Sequence, residues 1–464
     1  MRPKHTNVIV IVADDLGYGD IAAFGNPIVQ TPNLDRMAAE GVTLTQHYSA
    51  SPICAPARAS LLTGRYNHRT GAVDVPSNRG LDRISLAETT VADLFKSAGY
   101  ATGMVGKWHN GVHDMRYHPN ARGFDEFTGF LNGGMDYWQW VLDYDGTPKP
   151  ADGRYLTDVF SDEAVEFVQR HREEPFFLYL AYNAPHAPLQ APEELLERYQ
   201  GIGLTPAVSA LYAMIERMDE GIGRLREALE LLGLLEDTLV VFTSDNGPAM
   251  GGEGDDCVDR FNGPFSGTKY DVLEGGIRVP AIVQWPTGLS AGSHCTGLVH
   301  FTDWLPTLYG MLGHTLPEGL SLDGDDVMSL LRGEQGSVAR ARYWQWNRYA
   351  PVAHANAAMR EGRWKLYWPP IPEASAKDPA DNAPYERFMS EAHALMDVDA
   401  TLPPRNVPLP GAPRLFDLET DLAEQTDLSG TYPERVEEMR QRWDAWFQGV
   451  MAEWSRASSS NRRG

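Results

Sequence analysis

Asn7-Val8-Ile9-Val10-Ile11-Val12-Ala13-Asp14-Asp15 is the stretch from which the fold can be read. An apolar, largely β-branched run ends abruptly on two adjacent carboxylates. Branched side chains suit a pleated strand, and the lack of polar alternation means that both faces are covered, as in a parallel sheet packed between helices. Taken alone, Asp14 and Asp15 read as a turn and a helix cap, which Asp serves well. However, a second strand, expected at 238–243, ends in the same way on Ser244-Asp245-Asn246-Gly247. In open parallel sheets the C-terminal strand ends share one edge, and ligands bind there. Three carboxylates and an amide gathered at that edge repel strongly if left unpaired. An all-oxygen donor set of this kind suits Ca²⁺ or Mg²⁺, and not zinc.

Working outward, strands and helices alternate. A short helix is expected at 31–40, stopped by Gly41, and another at 90–97, closed by Gly99. Strands are expected at 100–105, 176–181 and 279–284. Leu211, Ile215, Met218, Ile222, Leu225 and Leu229 recur every three or four residues, which predicts an amphipathic helix over 207–232. This alternation predicts an α/β fold: a largely parallel central sheet flanked by helices. Near residue 340 the pattern changes. Short strands at 343–347, 357–360, 365–368 and 415–418 have no crossover helices between them, and a final helix is expected at 433–454. The chain is therefore divided into a catalytic domain, 1–340, and a smaller C-terminal α+β subdomain, 341–464. Within the latter, 369–413 is Pro-rich and of low periodicity: a long excursion of the kind that is often functional, long enough to cap the pocket or a neighbouring subunit. The tail Ser458-Ser459-Ser460-Asn461-Arg462-Arg463-Gly464 is expected to be disordered.

Composition sets bounds on function. The 464 residues exceed what one hydrophobic core usually takes, and the apolar (42%) and charged (22%) fractions are those of a globular protein. A net charge of −23 argues against nucleic acid as a main partner, although a few cations in a cleft still suffice for an anionic small substrate. Cys54, Cys257 and Cys295 form neither a disulfide framework nor a zinc spacing, and a Cys257–Cys295 bridge is left open. No run reaches membrane-spanning length. As given, the chain carries no export signal, so a cytoplasmic location is expected, or a periplasmic or secreted one if a leader is removed. Oligomeric state is not legible.

The segment from Ser51 to Arg65, SPICAPARASLLTGR, carries the second concentration of chemistry. Pro56 suits the first turn of a helix and Gly64 its stop, which places Cys54 at a helix N-terminus. That end favours anions and lowers a thiol's pKa. Arg58 lies one turn on, facing the same site. A buried structural thiol is the competing reading, and the one given to Cys257 and Cys295.

Cys-x-Pro-x-Arg followed by Leu-Leu-Thr-Gly-Arg resembles the signature of the type I sulfatases, members of the alkaline-phosphatase-like superfamily. Ala57 departs from the Ser or Thr usual there. The resemblance extends, in the family's order, through Asp14-Asp15-Leu16-Gly17-Tyr18-Gly19-Asp20, Gly106-Lys107-Trp108-His109, Pro185-His186-Ala187-Pro188, Asp245-Asn246-Gly247, Gly267-Thr268-Lys269 and Leu415-Phe416-Asp417-Leu418. It implies that Cys54 is oxidised to formylglycine (3-oxoalanine) by a formylglycine-generating maturation enzyme. It implies a divalent metal held by Asp14, Asp15, residue 54, Asp245 and Asn246. Catalytic roles then fall to Cys54, Arg58, Lys107, His109, His186 and Lys269. The hydrated aldehyde would attack sulfur, His186 with Lys269 would serve the departing oxygen, and His109 would take the proton that restores the aldehyde.

For substrate, the segment after His109 is distinctive. His113, Asp114, Arg116 and His118 offer hydrogen bonds to sugar hydroxyls, and Tyr137 or Trp138 a face for stacking; a surface loop with aromatic packing competes evenly with that reading. The leading expectation is removal of sulfate from a sulfated saccharide, with aryl sulfates as artificial substrates. The rivals are a phosphate or phosphonate ester hydrolase of the same superfamily, and an inactive binding homologue.

Overall fold

The computed structural model describes residues 6–112, 114–252, 255–335, 340–384, 387 and 398–461. Its centre is a ten-stranded sheet with Asn7–Ala13 in the middle. Thr238–Ser244 pairs with it in parallel on one side and Phe176–Ala181 on the other. Ala101–Lys107 and Glu126–Phe130 continue the parallel run. Ala281–Gln284 enters antiparallel beyond Thr238–Ser244, and Val141–Tyr144 antiparallel beyond Glu126–Phe130. The α/β reading therefore holds, with a sheet that is mixed at its flanks.

The central strand shows why its sequence does not alternate. Val8, Val10 and Val12 point into one apolar layer, and Ile9, Ile11 and Ala13 into the other. Both layers are closed by helices. Cys54–Thr63, Val91–Ser97 and Trp304–Met311 lie over the first, and Pro32–Glu40, Leu156–Arg170 and Pro206–Leu231 over the second. Each fully buried aliphatic side chain contributes about 1.5–3 kcal/mol, so this strand is among the best anchored parts of the chain. Its C-terminal end is correspondingly rigid.

A four-stranded antiparallel sheet, Arg342–Gln345, Ala357–Glu361, Trp364–Trp368 and Arg414–Asp417, follows. Alternation governs it. Met359, Leu366 and Trp368 face Met439 and Trp443 of the terminal helix, while Ala358, Tyr367 and Phe416 face Tyr48, Val272 and Ile277 of the main body. The terminal helix runs Pro433–Asn461, past its expected end and through the first residues of the supposed tail; residues 462–464 lie outside the described set. Part of the 369–413 excursion is also ordered, with short helices at Pro372–Ser375 and Pro379–Asp381. The open disulfide question closes negatively: Cys257 and Cys295 are separate buried thiols, packed in the two different apolar layers.

The small sheet is held to the main body by a buried ion cluster. Lys365 Nζ lies 3.0 Å from Glu274 and 2.8 Å from Glu424, with all three side chains fully buried. Burial pushes Glu424 up to about 7, and the neighbouring Glu274 charge adds to this against the pull of Lys365. Removing one member of such a cluster leaves the others uncompensated. Lys365→Met should therefore lower the unfolding free energy by about 3–5 kcal/mol in urea titrations; a loss within the scatter of a surface substitution would contradict this role.

Candidate active site

The parallel register Ala13↔Ser244 brings Asp14-Asp15 and Asp245-Asn246 side by side at the sheet's C-terminal edge. The Asp15 amide donates to Asp245 Oδ1 at 3.2 Å, and Asn246 Nδ2 donates to Asp15 Oδ1 at 2.7 Å. Three cations meet the carboxylates one to one. Arg58 reaches Asp245 through Nε at 2.9 Å and Nη2 at 2.8 Å; Lys107 donates to Asp14 at 2.6 Å and Lys269 to Asp15 at 2.7 Å. Nearly all of this is buried. Lys269 holds Asp15 well below the usual carboxylate range despite its burial. Asp245 is instead pushed up to about 6, first by burial and then by the charge of Asp14.

Local sequence explains the placement. Cys54 opens the helix Cys54–Thr63, and Gly64, at φ 68°, ends it with an N–H to Ser60 O. This helix is buried on every side, so Arg58 has no solvent and must find carboxylates. Lys107 is the last residue of its strand, positioned by Gly106: a Cβ there would sit 1.9 Å from Ala181 O. His109 follows at φ 54°, its ring against Gly133, where a Cβ would come within 2.7 Å. Asn110 ties this loop to the helix start through Nδ2 to Ala55 O at 2.9 Å. His186 Nδ1 lies 2.7 Å from Ala187 O, so Nδ1 carries the hydrogen and Nε2 is left 3.7 Å from Asp15 Oδ2.

Of these groups, Cys54, His109, His186 and Lys269 line a cleft of about 290 Å³. The expectation that a helix N-terminus lowers the Cys54 pKa is overturned. Burial pushes the thiol up to about 12, with Asp14 and Asp245 adding to the rise against Lys107 and Lys269. His186 is pushed down to about 3 by burial and then Lys269, and His109 well below its usual value by burial and then Lys107. Both imidazoles are neutral at pH 7.

The expected sugar contacts fare differently. His113 lies outside the described residues. Arg116 and Asp114 pair with each other at 2.6 Å on the surface. His118 is buried 3.3 Å from Asp143. Trp138 is 37% exposed and rests against Tyr155 at 5.0 Å. Asp114, Arg116, His118 and Trp138 do not line the cleft; the sequence placed them near the site because they follow His109, but the chain turns away through short helical turns at Met115–Tyr117 and Pro119–Ala121. Tyr137 is buried, its hydroxyl 2.8 Å from the carbonyls of Asn183 and His186, so it braces the His186 loop and does not stack on ligand. The outer wall comes from residues the sequence did not single out: Asn78, Tyr270, Arg348, Lys377 and Asp381. The last two lie on the 369–413 excursion, whose composition was the one available signal.

With this geometry in hand, likeness to known proteins is decisive. A family model described as Sulfatase matches residues 6–314. The chain belongs to the sulfatase family. Human N-acetylgalactosamine-6-sulfatase is 35% identical over 365 residues, covering 71% of this chain and 67% of that sulfatase. Human arylsulfatase A is 33% identical over 477 residues, covering 94% and 86%. The crystal structure of Ps i-CgsB in complex with k-i-k-neocarrahexaose superposes with a TM-score of 0.79 at 30% identity, covering 95% of this chain and 92% of that one.

Sulfatases carry a metal and a formylglycine, and the residues here fit the metal. Asp14, Asp15 and Asp245 each offer an oxygen within 4.8 Å of the others. Asp14 Oδ1 and Asn246 Oδ1 are buried with no hydrogen-bond partner. All-oxygen donors with unused lone pairs are what a hard dication requires. Chelator-treated protein should therefore gain thermal stability on addition of Ca²⁺ or Mg²⁺, by about 2.7 kcal/mol at a hundredfold excess over Kd, in a calorimetric titration. Asp15→Asn should abolish most of that gain, and an undiminished response in the variant would place the ion elsewhere.

Proposed function

We propose that this sulfatase removes sulfate from a sulfated saccharide, with residue 54 as formylglycine and Ca²⁺, or Mg²⁺ in its place, held by Asp14, Asp15, Asp245 and Asn246. The observation that carries this reading is the convergence of Arg58, Lys107 and Lys269 with the oxygen cage around position 54. When present, the formylglycine supplies a hydrated-aldehyde oxygen nucleophile and the cation supplies Lewis-acid charge.

The chain's own residues do the rest. Three cations against three carboxylates make the cluster neutral, so a dication turns it into a positive pocket suited to an anionic ester. Each lysine gives one ammonium hydrogen to a carboxylate and retains others for sulfate oxygens. These preset donors stabilise the charge that builds as the S–O bond lengthens. Lys269 and His186 border the cleft where the alcohol departs. A neutral His186 cannot deliver a proton by itself, but an incoming anion raises its proton affinity, so its acid role is coupled to substrate arrival. His109, neutral and with its Nδ1 buried and unpartnered, is suited to accept the proton that regenerates the aldehyde. A formylglycine-generating enzyme is the partner this scheme requires.

Two measurements test it. The peptide spanning Cys54 from natively produced protein should be about 18 Da lighter than the cysteine form, a difference fixed by the oxidation chemistry. On 4-nitrophenyl sulfate, Lys269→Ala should lower kcat about a hundredfold or more, and Cys54→Ser should complete at most one turnover. Sustained turnover by Cys54→Ser would contradict the scheme. Faster hydrolysis of nitrophenyl phosphonate esters than of the sulfate would favour the phosphonate reading, and an unmodified peptide from natively produced protein the inactive homologue.

A further inference from the structure

The outer wall of the cleft holds a guanidinium that the chemistry at sulfur does not use. Arg348 lines the same cavity as Cys54, and its Nη1 donates to Asp74 Oδ1 at 3.0 Å. Asp74 is fully buried and heavily committed: it also accepts from Trp346 Nε1 at 3.2 Å and from the Tyr349 amide at 2.6 Å. Arg348 is thus fixed at one nitrogen while its Nε has no hydrogen-bond partner. Its plane lies over Trp346, 5.2 Å from the ring centre, and Trp346 in turn packs against Ile53 and Cys54.

A second observation lies on the same wall. Tyr270 takes a positive φ of 77°, hooks its amide onto Pro52 O at 2.9 Å and is 47% exposed as a residue, its ring beside Lys269. The ring leans on Trp346 at 5.4 Å. An exposed aromatic face held in a strained backbone conformation is a platform for a sugar ring. Lys377 adds a further cation to the lining, and the one acid there among the described residues, Asp381, is buried and bonded to Arg79, Asn78 and Tyr349.

Resting on the sulfatase reading, we infer that Arg348 is a specificity residue that binds a second anionic group of the substrate. The preferred substrate is then a saccharide with a carboxylate or another sulfate near the scissile sulfate, its ring carried by Tyr270. A fixed guanidinium fork recognises either anion, and an ion pair of this kind weakens as salt rises.

The test compares kcat/KM for three substrates on formylglycine-loaded enzyme: a monosulfated neutral hexose, a disulfated hexose and a sulfated disaccharide containing a uronate. The wild type should favour at least one of the two dianionic substrates over the neutral one by about tenfold or more, and raised NaCl should shrink that advantage. Whichever is favoured names the second anion. Arg348→Gln should bring the ratio close to one, chiefly through KM, and Arg348→Lys should restore part of it. Equal rates on all three substrates in the wild type would overturn the inference whether or not the variants fold. So would a preference that survives Arg348→Gln unchanged. Failure to cleave any sulfate ester, nitrophenyl sulfate included, would instead sink the function proposed above.

Discussion

Three carboxylates buried at one sheet edge can coexist only because three cations, brought from distant parts of the chain, are held against them. Asp14 and Asp15 belong to the central strand's end, Asp245 to its neighbour's, and the register between the strands leaves no freedom to separate them. Arg58 comes from a buried helix, Lys107 from another strand end and Lys269 from a loop. Removing any one cation would strand a charge in a medium that solvates it poorly. The site is therefore a condition of the fold around it as well as its product. Burial, and after it the charge of Asp14, still pushes Asp245 up to about 6 with Arg58 in contact, a cost that a dication at this edge would reduce.

The smaller sheet completes the cleft from the opposite side. Its attachment is polar and buried at Lys365, Glu274 and Glu424, and aromatic at Trp344, whose indole donates to Ser49 O at 2.7 Å. Ser49 lies a few residues before Cys54, so the sheet is fastened to the segment that carries the reacting position. Trp346, two residues on, reaches that position itself. Anything that shifts the small sheet thus moves Trp346 and Arg348 relative to residue 54, and the reaction centre and the substrate wall are mechanically one unit.

The layered α/β core was legible because its cause is local: a fully apolar strand needs cover on both faces, and a helix with apolar residues every three or four positions supplies it. The oxygen cage was legible for the same reason, since its residues follow directly from strand ends. The basic residues were reached through motif resemblance: the structure brings His109, His186 and Lys269 into one cleft with Cys54, and holds Arg58 and Lys107 buried behind it against Asp245 and Asp14. The substrate wall was not legible. Arg348 and Asp74 are 274 positions apart, and nothing in the pattern of either segment signals the other. Asp114, Arg116 and His118 do not line the cleft because adjacency to His109 in sequence does not survive the turns after it, where each finds a protein partner. The Cys54 pKa was misjudged because the helix terminus was weighed without the burial and carboxylates around it.

That misjudged thiol bears on the chemistry. Burial, with Asp14 and Asp245, pushes the Cys54 thiol up against the pull of Lys107 and Lys269, so without a cation beside it the encoded cysteine is held as the neutral thiol. The same surroundings oppose any resting anion at this position, because burial and two carboxylates face it. A side chain that stays neutral until a reaction begins, and that accepts charge only with a cation at hand, fits where a thiolate does not. A hydrated aldehyde has that property. The electrostatics of the pocket therefore suit the neutral, oxidised side chain proposed for residue 54 better than a thiolate of the encoded cysteine.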